Sequence, residues 1–210
     1  MNILGVIPAR GGSRRLPGKN MADLGGKPLL EWTMEAACKS TAFSRLVVST
    51  EDAEIGTTAL HYGLEWFERP LALCQDDTPS LDVVRHAVGA DSYDLIVLLQ
   101  PTSPFRTPAD IWACIDMLEA KGGDAVISVT QPPDTMVFEV GHAGRLRAAR
   151  QATVVPNGAL FLLTGSALAA GLDWWTGVTY AYHMPPERSI DIDTAVDLEL
   201  ARAMILRRAA

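Results

Sequence analysis

The sequence lacks the features of disulfide-rich, zinc-binding or membrane-spanning proteins. It has three cysteines in 210 residues, which are Cys38, Cys74 and Cys114, and no Cys-x-x-Cys pair. An odd, widely spaced set fits neither a disulfide framework nor a zinc site and favours a reducing compartment. The longest strongly apolar runs, such as residues 95–99, are too short to cross a bilayer. The N-terminal segment does not resemble a signal peptide, so we expect a cytoplasmic protein with no membrane partner.

Positive charge is also scarce. The chain has 18 Lys and Arg against 25 Asp and Glu, a net charge of −7, so we expect no nucleic-acid partner. Hydrophobic residues make up 48% and charged residues 20%, which is the balance of a folded domain and not of a disordered chain. The length is sufficient for a full hydrophobic core, and no linker or repeat is visible. We therefore predict one domain over residues 1–210.

Strand-like and helix-like segments alternate over the first 130 residues. This alternation predicts an α/β fold with a mostly parallel sheet and right-handed crossovers. Residues 131–157 interrupt the pattern, and we interpret them as a β-rich excursion. The last predicted helix carries Val196, Leu200, Ala203 and Met204 on one apolar face. The predicted strands cover residues 2–7, 45–50, 64–67, 94–99, 125–129, 159–163 and 178–183, and the predicted helices cover residues 29–39, 51–62, 80–88, 108–120 and 194–207.

A basic, glycine-rich loop follows the first predicted strand. Residues 8–20 read PARGGSRRLPGKN. Glycines let backbone N–H groups approach phosphate oxygens, and the basic side chains neutralise them. The loop is not a P-loop, because Ser13 stands where that motif has glycine and Asn20 where it has Ser or Thr, and it contains no GxGxxG fingerprint. It predicts a phosphate-binding loop, with a solvated basic turn as the alternative.

Two aspartates stand two residues apart in the segment SIDID at residues 189–193. In an extended segment, residues i and i+2 face the same side, so Asp191 and Asp193 are predicted to project together while the isoleucines face the core. Two carboxylates, phosphate oxygens and waters suit Mg²⁺, which is the cofactor that we predict. The alternative is that Asp193 or Thr194 caps the last helix, with Asp197 in its first turn. Both interpretations can hold together.

These motifs, in this order, resemble one enzyme family. Residues 7–20 resemble the CTP-binding motif of acylneuraminate cytidylyltransferases, and Asn20 favours them over the related 3-deoxy-manno-octulosonate cytidylyltransferases. The string LLQPTSPFR at residues 98–106 resembles the family's Leu-Gln-Pro-Thr-Ser-Pro signature, and residues 187–194 resemble its metal motif. Residues 69–87 resemble its nucleotide-contacting segment. An Arg-Gln and an Asn-Gly-Ala string also match, although the stretch between them is shorter here and has no tyrosine.

The resemblance implies a single Rossmann-like nucleotidyltransferase domain with a short β-rich dimerisation arm. It implies transfer of CMP from CTP to the anomeric hydroxyl of a nine-carbon 2-keto sugar acid of the sialic, legionaminic or pseudaminic type, with release of pyrophosphate. The partners are CTP, the sugar acid and a second copy of the chain. The alternatives are a cytidylyltransferase for 3-deoxy-manno-octulosonate or another small acceptor, and a non-catalytic CTP-binding homologue.

The resemblance also implies roles for particular residues. Ala9 and Asn20 would read the base, Arg106 would hold its loop or a phosphate, and Trp174-Trp175 would cover an acylamino group or pack in a core or interface. The residues implied in catalysis are Arg10, Lys19, Asp191 and Asp193, and the last two hold the metal. Those implied in nucleotide binding are Ala9, Arg10, Gly11, Gly12, Ser13, Arg15, Lys19, Asn20, Arg69 and Ser80. Those implied in sugar binding are Gln100, Thr102, Ser103, Arg150, Gln151 and Asn157.

Overall fold

The computed structural model of the chain describes residues 1–132, 138–140, 146–148 and 154–209. Nine strands are described: Ile3–Pro8 (β1), Arg45–Thr50 (β2), Glu65–Glu68 (β3), Leu95–Leu98 (β4), Ala125–Thr130 (β5), Phe138–Val140 (β6), Leu146–Ala148 (β7), Val155–Thr164 (β8) and Thr179–His183 (β9). Six α-helices are described: Leu29–Ser40 (α1), Ala53–His61 (α2), Ser80–Val88 (α3), Pro108–Lys121 (α4), Gly165–Ala169 (α5) and Ala195–Ala209 (α6). In the described part of the chain, no helix is long and apolar enough to span a membrane.

Seven strands form one sheet in the order β3-β2-β1-β4-β8-β5-β9. All neighbouring pairs are parallel except those of β8, which runs antiparallel to both β4 and β5. The predicted α/β fold with a mostly parallel sheet is confirmed. Because β8 is reversed, its first residues lie at the edge where β1 and β4 end. This edge therefore gathers segments from three distant parts of the chain.

The sheet is buried on both faces, as the uniformly apolar strands predict. One cluster packs α1, α2 and α4 against one face, with Leu30, Met34 and Ile111 among its buried residues. A second cluster covers the other face, where α3 contributes Val84 and β8 contributes Phe161. In the predicted excursion, β6 and β7 form an antiparallel pair. Residues 133–137, 141–145 and 149–153 lie outside the described residues.

Helix α6 buries a different face from the predicted one. Val196 and Leu200 are 76% and 55% exposed, whereas Leu198 and Ala201 are buried. The reason is that α6 does not lie on the sheet. It packs on a separate small cluster that includes Leu24 and other residues from before α1 and α4.

The buried carboxylate of Asp110 joins three parts of the fold. Its backbone N–H and carboxylate form a capping box with Thr107 at the start of α4. The same carboxylate accepts hydrogen bonds from the Tyr182 hydroxyl at 2.9 Å and from Arg188 Nη2 at 2.8 Å. Burial alone would raise the pKa of Asp110, but the bonds from Arg188, Thr107 and Tyr182 hold it below its ordinary value. Asp110 thus anchors the segment that leads to Asp191.

We expect Asp110→Ala to lower the free energy of unfolding by about 3 kcal/mol at pH 7, because it removes a helix cap and leaves a partly buried guanidinium without its carboxylate. The pKa of Asp110 is lower in the folded chain, so its contribution is present at neutral pH and lost as the pH falls through the folded pKa. Urea denaturation at pH 7 and at a pH well below 3.8, the ordinary pKa of the group, measures both effects. Asp116→Ala, at an exposed position of the same helix, is the control. An equally small decrease in the free energy of unfolding for both variants would contradict the anchoring role of Asp110.

Candidate active site

An open pocket of about 310 Å³ lies at the edge of the sheet where β1 and β4 end. Its walls come from the glycine-rich loop after β1, the segment after β3, the loop after β4 and the segment before α6. The structure therefore brings together residues as far apart in the sequence as Pro8 and Asp193. The predicted site residues that line the pocket are Arg10, Arg15, Lys19, Asn20, Arg69, Ser80, Gln100, Thr102, Asp191 and Asp193.

The carboxylate of Asp193 joins the two ends of the chain at this pocket. Lys19 Nζ lies 3.0 Å from one carboxylate oxygen, and Arg15 Nη2 lies 2.9 Å from the other. The segment then turns directly into α6, where Thr194 and Asp197 form reciprocal cap bonds: Asp197 Oδ2 accepts from the Thr194 N–H, and Thr194 Oγ1 accepts from the Asp197 N–H. The helix-capping alternative is therefore correct for Thr194, and it leaves both Asp191 and Asp193 on the pocket lining.

A second carboxylate holds the other two basic residues of the loop. Asp76 forms ion pairs with both Arg10 and Arg14, and Arg10 Nη1 also donates to the carbonyl of Cys74 at 3.2 Å. Sequence reasoning noted Asp76 in a motif but gave it no role. Exposed ion pairs contribute only about 0–1 kcal/mol each, so phosphate oxygens can replace these carboxylates at small cost.

Asp191 lies beside Asp193 and is exposed to the pocket. Protein atoms crowd its carboxylate on the other sides, and this burial, together with the negative charge of Asp193, raises its pKa, while a hydrogen bond from Thr102 opposes the shift. A cation between the two carboxylates would remove the repulsion, so the donor set fits a divalent metal. Within the described residues, no group of three or more His, Cys, Asp or Glu is placed to hold a metal. Phosphate and water oxygens would have to complete the shell.

Arg106 holds the loop that carries Gln100, which is the first of its two predicted roles. It is 3% exposed and does not line the pocket. Nη1 donates to the Thr33 hydroxyl at 2.7 Å, and Nη2 donates to the carbonyl of Gln100. Burial lowers the pKa of the guanidinium to about 9. This buried cation fixes the backbone from which the Gln100 side chain projects.

Ser103 and Asn157 were expected to contact the sugar. The structure corrects this expectation, because neither residue lines the pocket. Both side chains are buried. Ser103 Oγ donates to the Asn157 carbonyl at 2.9 Å, and Asn157 Nδ2 donates to Ser189 Oγ at 2.9 Å. Asn157 is near the start of β8, which begins at this edge of the sheet, and Ser103 lies in the loop after β4. They connect the Gln100 loop to the segment that bears Asp191.

Gly158 is a site residue to which sequence reasoning assigned no role. Its φ is +75°, and a Cβ built there would lie 2.9 Å from Gln100 Oε1 and 3.0 Å from Ser103 Oγ. Only glycine fits this conformation and this space without strain. The Asn-Gly-Ala string marked Gly158 in the sequence. The need for glycine there, however, comes from its close approach to a loop more than 50 residues away in the chain.

The backbone of the glycine-rich loop is partly occupied by protein contacts. The Ala9 N–H donates to the Ser49 carbonyl at 3.0 Å, and Ala9 is fully buried and does not line the pocket. Gly11 does not line the pocket either, and its N–H donates to Glu51 Oε1 at 2.9 Å. Asn20 Nδ2 donates to the Arg10 carbonyl. Two further predicted residues, Gly12 and Ser13, do not line the pocket.

Arg69 is buried, and its Nε donates to Ser49 Oγ at 3.1 Å. Its guanidinium still forms part of the pocket lining. Burial lowers the pKa of Arg69 from its ordinary value. Two predicted sugar-binding residues, Arg150 and Gln151, lie outside the described residues.

A second pocket of about 310 Å³ adjoins the first and shares Ser80 and Gln100 with it. Its lining is largely apolar and includes Phe161, Trp174 and Trp175. The ring of Phe161 lies 5.4 Å from that of Trp174 and 6.4 Å from that of Trp175, measured between centroids. Trp174 is 6% exposed and Trp175 62% exposed. The predicted aromatic pair is therefore divided between the core and an open pocket wall.

Comparison with known proteins agrees with this arrangement. A family model described as Cytidylyltransferase matches residues 4–188. The N-acylneuraminate cytidylyltransferase of Escherichia coli O18:K1:H7 is 33% identical over 213 residues, which cover 95% of this chain and 51% of that protein. The CMP-N,N'-diacetyllegionaminic acid synthase of Legionella pneumophila is 30% identical over 224 residues, which cover 98% of this chain and 97% of that protein. The chain thus spans about half the length of the first relative and nearly all of the second.

A solved structure has the same fold. It is that of CMP:2-keto-3-deoxy-manno-octonic acid synthetase complexed with CTP, with a TM-score of 0.72, 16% sequence identity and coverage of 99% of this chain and 100% of that one. At this identity the likeness concerns the fold alone.

The burial of the Asp191 carboxylate, together with the charge of Asp193, predicts that this site costs stability. Its pKa is raised in the folded chain, so its ionisation opposes folding above that pKa, and the cost disappears as the pH falls through it. We expect Asp191→Asn to unfold at the same temperature as the unchanged protein or higher in EDTA at pH 7. The matched variant Asp193→Asn loses the ion pairs with Lys19 and Arg15 and should lose up to about 1 kcal/mol. Thermal unfolding measures both effects. A clearly lower unfolding temperature for Asp191→Asn would contradict the prediction that ionised Asp191 costs stability.

Proposed function

Because the chain belongs to the cytidylyltransferase family, we propose that it transfers CMP from CTP to the anomeric hydroxyl of a nine-carbon 2-keto sugar acid. The observation that carries the proposal is the single pocket in which Arg15 and Lys19 meet Asp191 and Asp193, with Gln100 on its wall. Cations for a triphosphate and paired carboxylates for a metal are the two requirements of nucleotidyl transfer. The names of the two sequence relatives support the class of acceptor.

The basic residues of the glycine-rich loop bind the triphosphate in this proposal. Arg10 leaves Asp76, and Arg15 and Lys19 leave Asp193, as phosphate oxygens take the place of the carboxylates. The exchange conserves the number of charge pairs, so little net energy is lost on binding. The same side chains then neutralise the charge that develops on the departing pyrophosphate, where fixed cations act most strongly.

The reaction requires the acceptor oxygen in line with the α-phosphorus. The anomeric hydroxyl forms the new P–O bond as the bond from the α-phosphorus to the bridging oxygen breaks; pyrophosphate leaves, and the hydroxyl proton is released. Gln100 and Thr102 line the pocket between the cations and the second pocket, where they orient the acceptor. Catalysis is then mostly positioning and charge neutralisation.

Asp191 and Asp193 would hold Mg²⁺ once the triphosphate has taken over Lys19 and Arg15. When bound, the metal supplies charge neutralisation at the phosphates and acidifies a coordinated oxygen. The proposal rests on the two carboxylates that line one pocket and on the burial and the Asp193 charge that raise the pKa of Asp191. The three cysteines are all free, which supports a reducing compartment such as the cytoplasm as the place of reaction.

The proposal is tested by pyrophosphate release from CTP and Mg²⁺ with sialic, legionaminic, pseudaminic and 3-deoxy-manno-octulosonic acids in parallel. We expect release with at least one of the nine-carbon acids. Release with the eight-carbon acid alone would mean that the acceptor is 3-deoxy-manno-octulosonate and not a nine-carbon acid. CTP binding without release from any acid would favour the non-catalytic alternative.

Variants at two lysines assign the activity to the pocket. Lys19→Ala should lower kcat/KM by about 100-fold, the effect of removing one group that stabilises transition-state charge. Lys39→Ala removes a cation of the α1 surface, paired with Glu35, and should leave kcat/KM unchanged. Equal activity in both folded variants would remove Lys19 from the site.

We also propose that the chain forms a homodimer through the β9 side of the sheet. Exposed apolar residues lie there: Trp175 and Val178 are 62% and 57% exposed, and Val155 is 38% exposed. A neighbouring pocket of about 240 Å³ is lined by apolar residues of β5, β8 and β9. Exposed apolar patches of this kind mark protein interfaces.

Light scattering after size-exclusion chromatography is expected to give twice the 22.6 kDa mass of one chain. Val178→Glu should shift the population toward monomer, because it places a charge in the apolar surface. Val196→Glu, at a more exposed apolar position on α6, is the control and should remain dimeric. A monomer for the unchanged protein would refute the proposal.

A further inference from the structure

The end of β2 holds two of the segments that form the walls of the first pocket. Strand β2 lies between β1 and β3 in the sheet, so its last residues contact the segments that follow both neighbours. The Ser49 carbonyl accepts a hydrogen bond from the Ala9 N–H at 3.0 Å, and the Thr50 carbonyl accepts one from the Arg69 N–H at 3.0 Å. Each bond continues the strand pairing by one residue. The next residue, Glu51, contacts the same two segments with its side chain.

The carboxylate of Glu51 bridges these segments. Its Oε1 accepts from the Gly11 N–H, in the glycine-rich loop, at 2.9 Å. Its Oε2 lies 3.3 Å from Cys74 Sγ, in the segment after β3, and the thiol lies at the same distance from the carbonyl of Pro70. Glu51 does not line the pocket, so it acts on a ligand only through the residues that it holds.

The glycine-rich loop packs closely against the start of α2 at this point. A Cβ built at Gly11 would lie 2.3 Å from Asp52 Oδ2. Asp52 is the N-cap of α2, and its Oδ1 accepts from the N–H groups of Glu54 and Ile55. A side chain at position 11 would therefore disturb a helix cap, and the close contact brings the Gly11 N–H within reach of Glu51.

The bond to Glu51 fixes the peptide group that joins Arg10 to Gly11. Two successive glycines, Gly11 and Gly12, leave the backbone of the loop many conformations. The Gly11 N–H belongs to the same peptide group as the Arg10 carbonyl, which accepts from Asn20 Nδ2 at 2.9 Å. With both ends of this group hydrogen-bonded, the backbone from which the Arg10 side chain projects has one orientation.

Arg10 itself makes contacts that a triphosphate changes and one that it does not need to change. Its Nη1 donates to the Cys74 carbonyl at 3.2 Å, and its Nη2 pairs with Asp76. In the proposed function, phosphate oxygens displace Asp76. The contacts of Glu51 with Gly11 and Cys74 do not involve the guanidinium, so they remain when the ion pair is lost and keep the two walls together.

We propose that Glu51 is a positioning residue for nucleotide binding: its carboxylate holds the Arg10–Gly11 peptide group and the Cys74 segment in the arrangement that CTP meets. This inference rests on the proposed function. Because the loop is ordered before the ligand arrives, its ordering does not weaken binding. No described hydrogen bond joins Glu51 to the Gln100 loop or to the segment that bears Asp191, so its effect falls on CTP affinity and not on the transfer step.

The test compares Glu51→Ala with Glu51→Gln. For Glu51→Ala we expect the Kd of CTP, measured by isothermal titration calorimetry, to rise about tenfold, since a hydrogen bond to a carboxylate is worth roughly one such factor or more. The KM for CTP should rise equally, with kcat and the KM of the acceptor unchanged. Glu51→Gln should stay within twofold of the unchanged protein, because its amide oxygen accepts from Gly11 and its amide N–H can donate to Cys74 Sγ. Glu54→Ala, at an exposed position in the first turn of α2, is the control and should bind CTP normally.

The thiol of Cys74 reports the same contact without any ligand. Burial, together with the hydrogen bond and the charge of Glu51, raises the pKa of Cys74 to about 11. Thiol reagents react with the thiolate, so Glu51→Ala and Glu51→Gln should both react several-fold faster with a disulfide reagent at pH 8, in the kinetic phase that Cys74→Ala lacks. Glu51→Gln keeps the size of the side chain, so this measurement stands even where Glu51→Ala does not fold.

A Kd within twofold of the unchanged protein in folded Glu51→Ala would overturn the positioning role and leave the proposed function standing. Equal weakening in Glu51→Gln would overturn it as well, because the hydrogen bond to Gly11 would not be the cause. Unchanged thiol rates in both variants would refute the contact with Cys74. CTP binding without pyrophosphate release from any acid would overturn the proposed transfer while the calorimetry still decides the role of Glu51, and absence of CTP binding to the unchanged protein would overturn both.

Discussion

The ion pairs of Asp193 hold the candidate site together. They join Lys19 and Arg15, in the loop after the first strand, to the segment before α6. Asp193 lies 174 residues after Lys19 in the chain. Asp76 does the same for Arg10 and Arg14 from a third segment. The basic residues of the loop are thus paired with carboxylates, and in the proposed function a triphosphate takes the place of those carboxylates. This explains how an acidic chain of net charge −7 keeps four basic residues in one short loop.

A frame of buried polar residues lies behind the pocket and places its lining. Asp110 anchors the segment before Asp191, and Arg106 fixes the backbone at Gln100. The Ser103–Asn157 contact connects the β4 loop to β8. None of these four lines the pocket, yet each positions a segment that does. Buried polar groups are costly unless they are hydrogen-bonded, so the bonds that satisfy them also determine the geometry of the site.

Two pockets with different linings adjoin at Ser80 and Gln100. The first is lined by paired cations and carboxylates, and the second is largely apolar and includes Phe161, Trp174 and Trp175. The antiparallel insertion of β8 makes this possible, because it carries Phe161 to the wall shared with Trp174 and Trp175. In an all-parallel sheet, the first residues of that strand would lie at the opposite edge.

The sequence by itself determined the α/β class, nearly every strand and helix, the glycine-rich loop and the Asp191–Asp193 pair. These depend on hydrophobic periodicity, glycine content and i, i+2 spacing, which are local. Only the tertiary structure decided that β8 is antiparallel, that Ser103 and Asn157 turn inward, that α6 buries Leu198 and Ala201 instead of Val196 and Leu200, and that Gly158 must lack a side chain. Each of these depends on which distant segment lies opposite, and burial and hydrogen bonding between such segments leave no local pattern in the sequence.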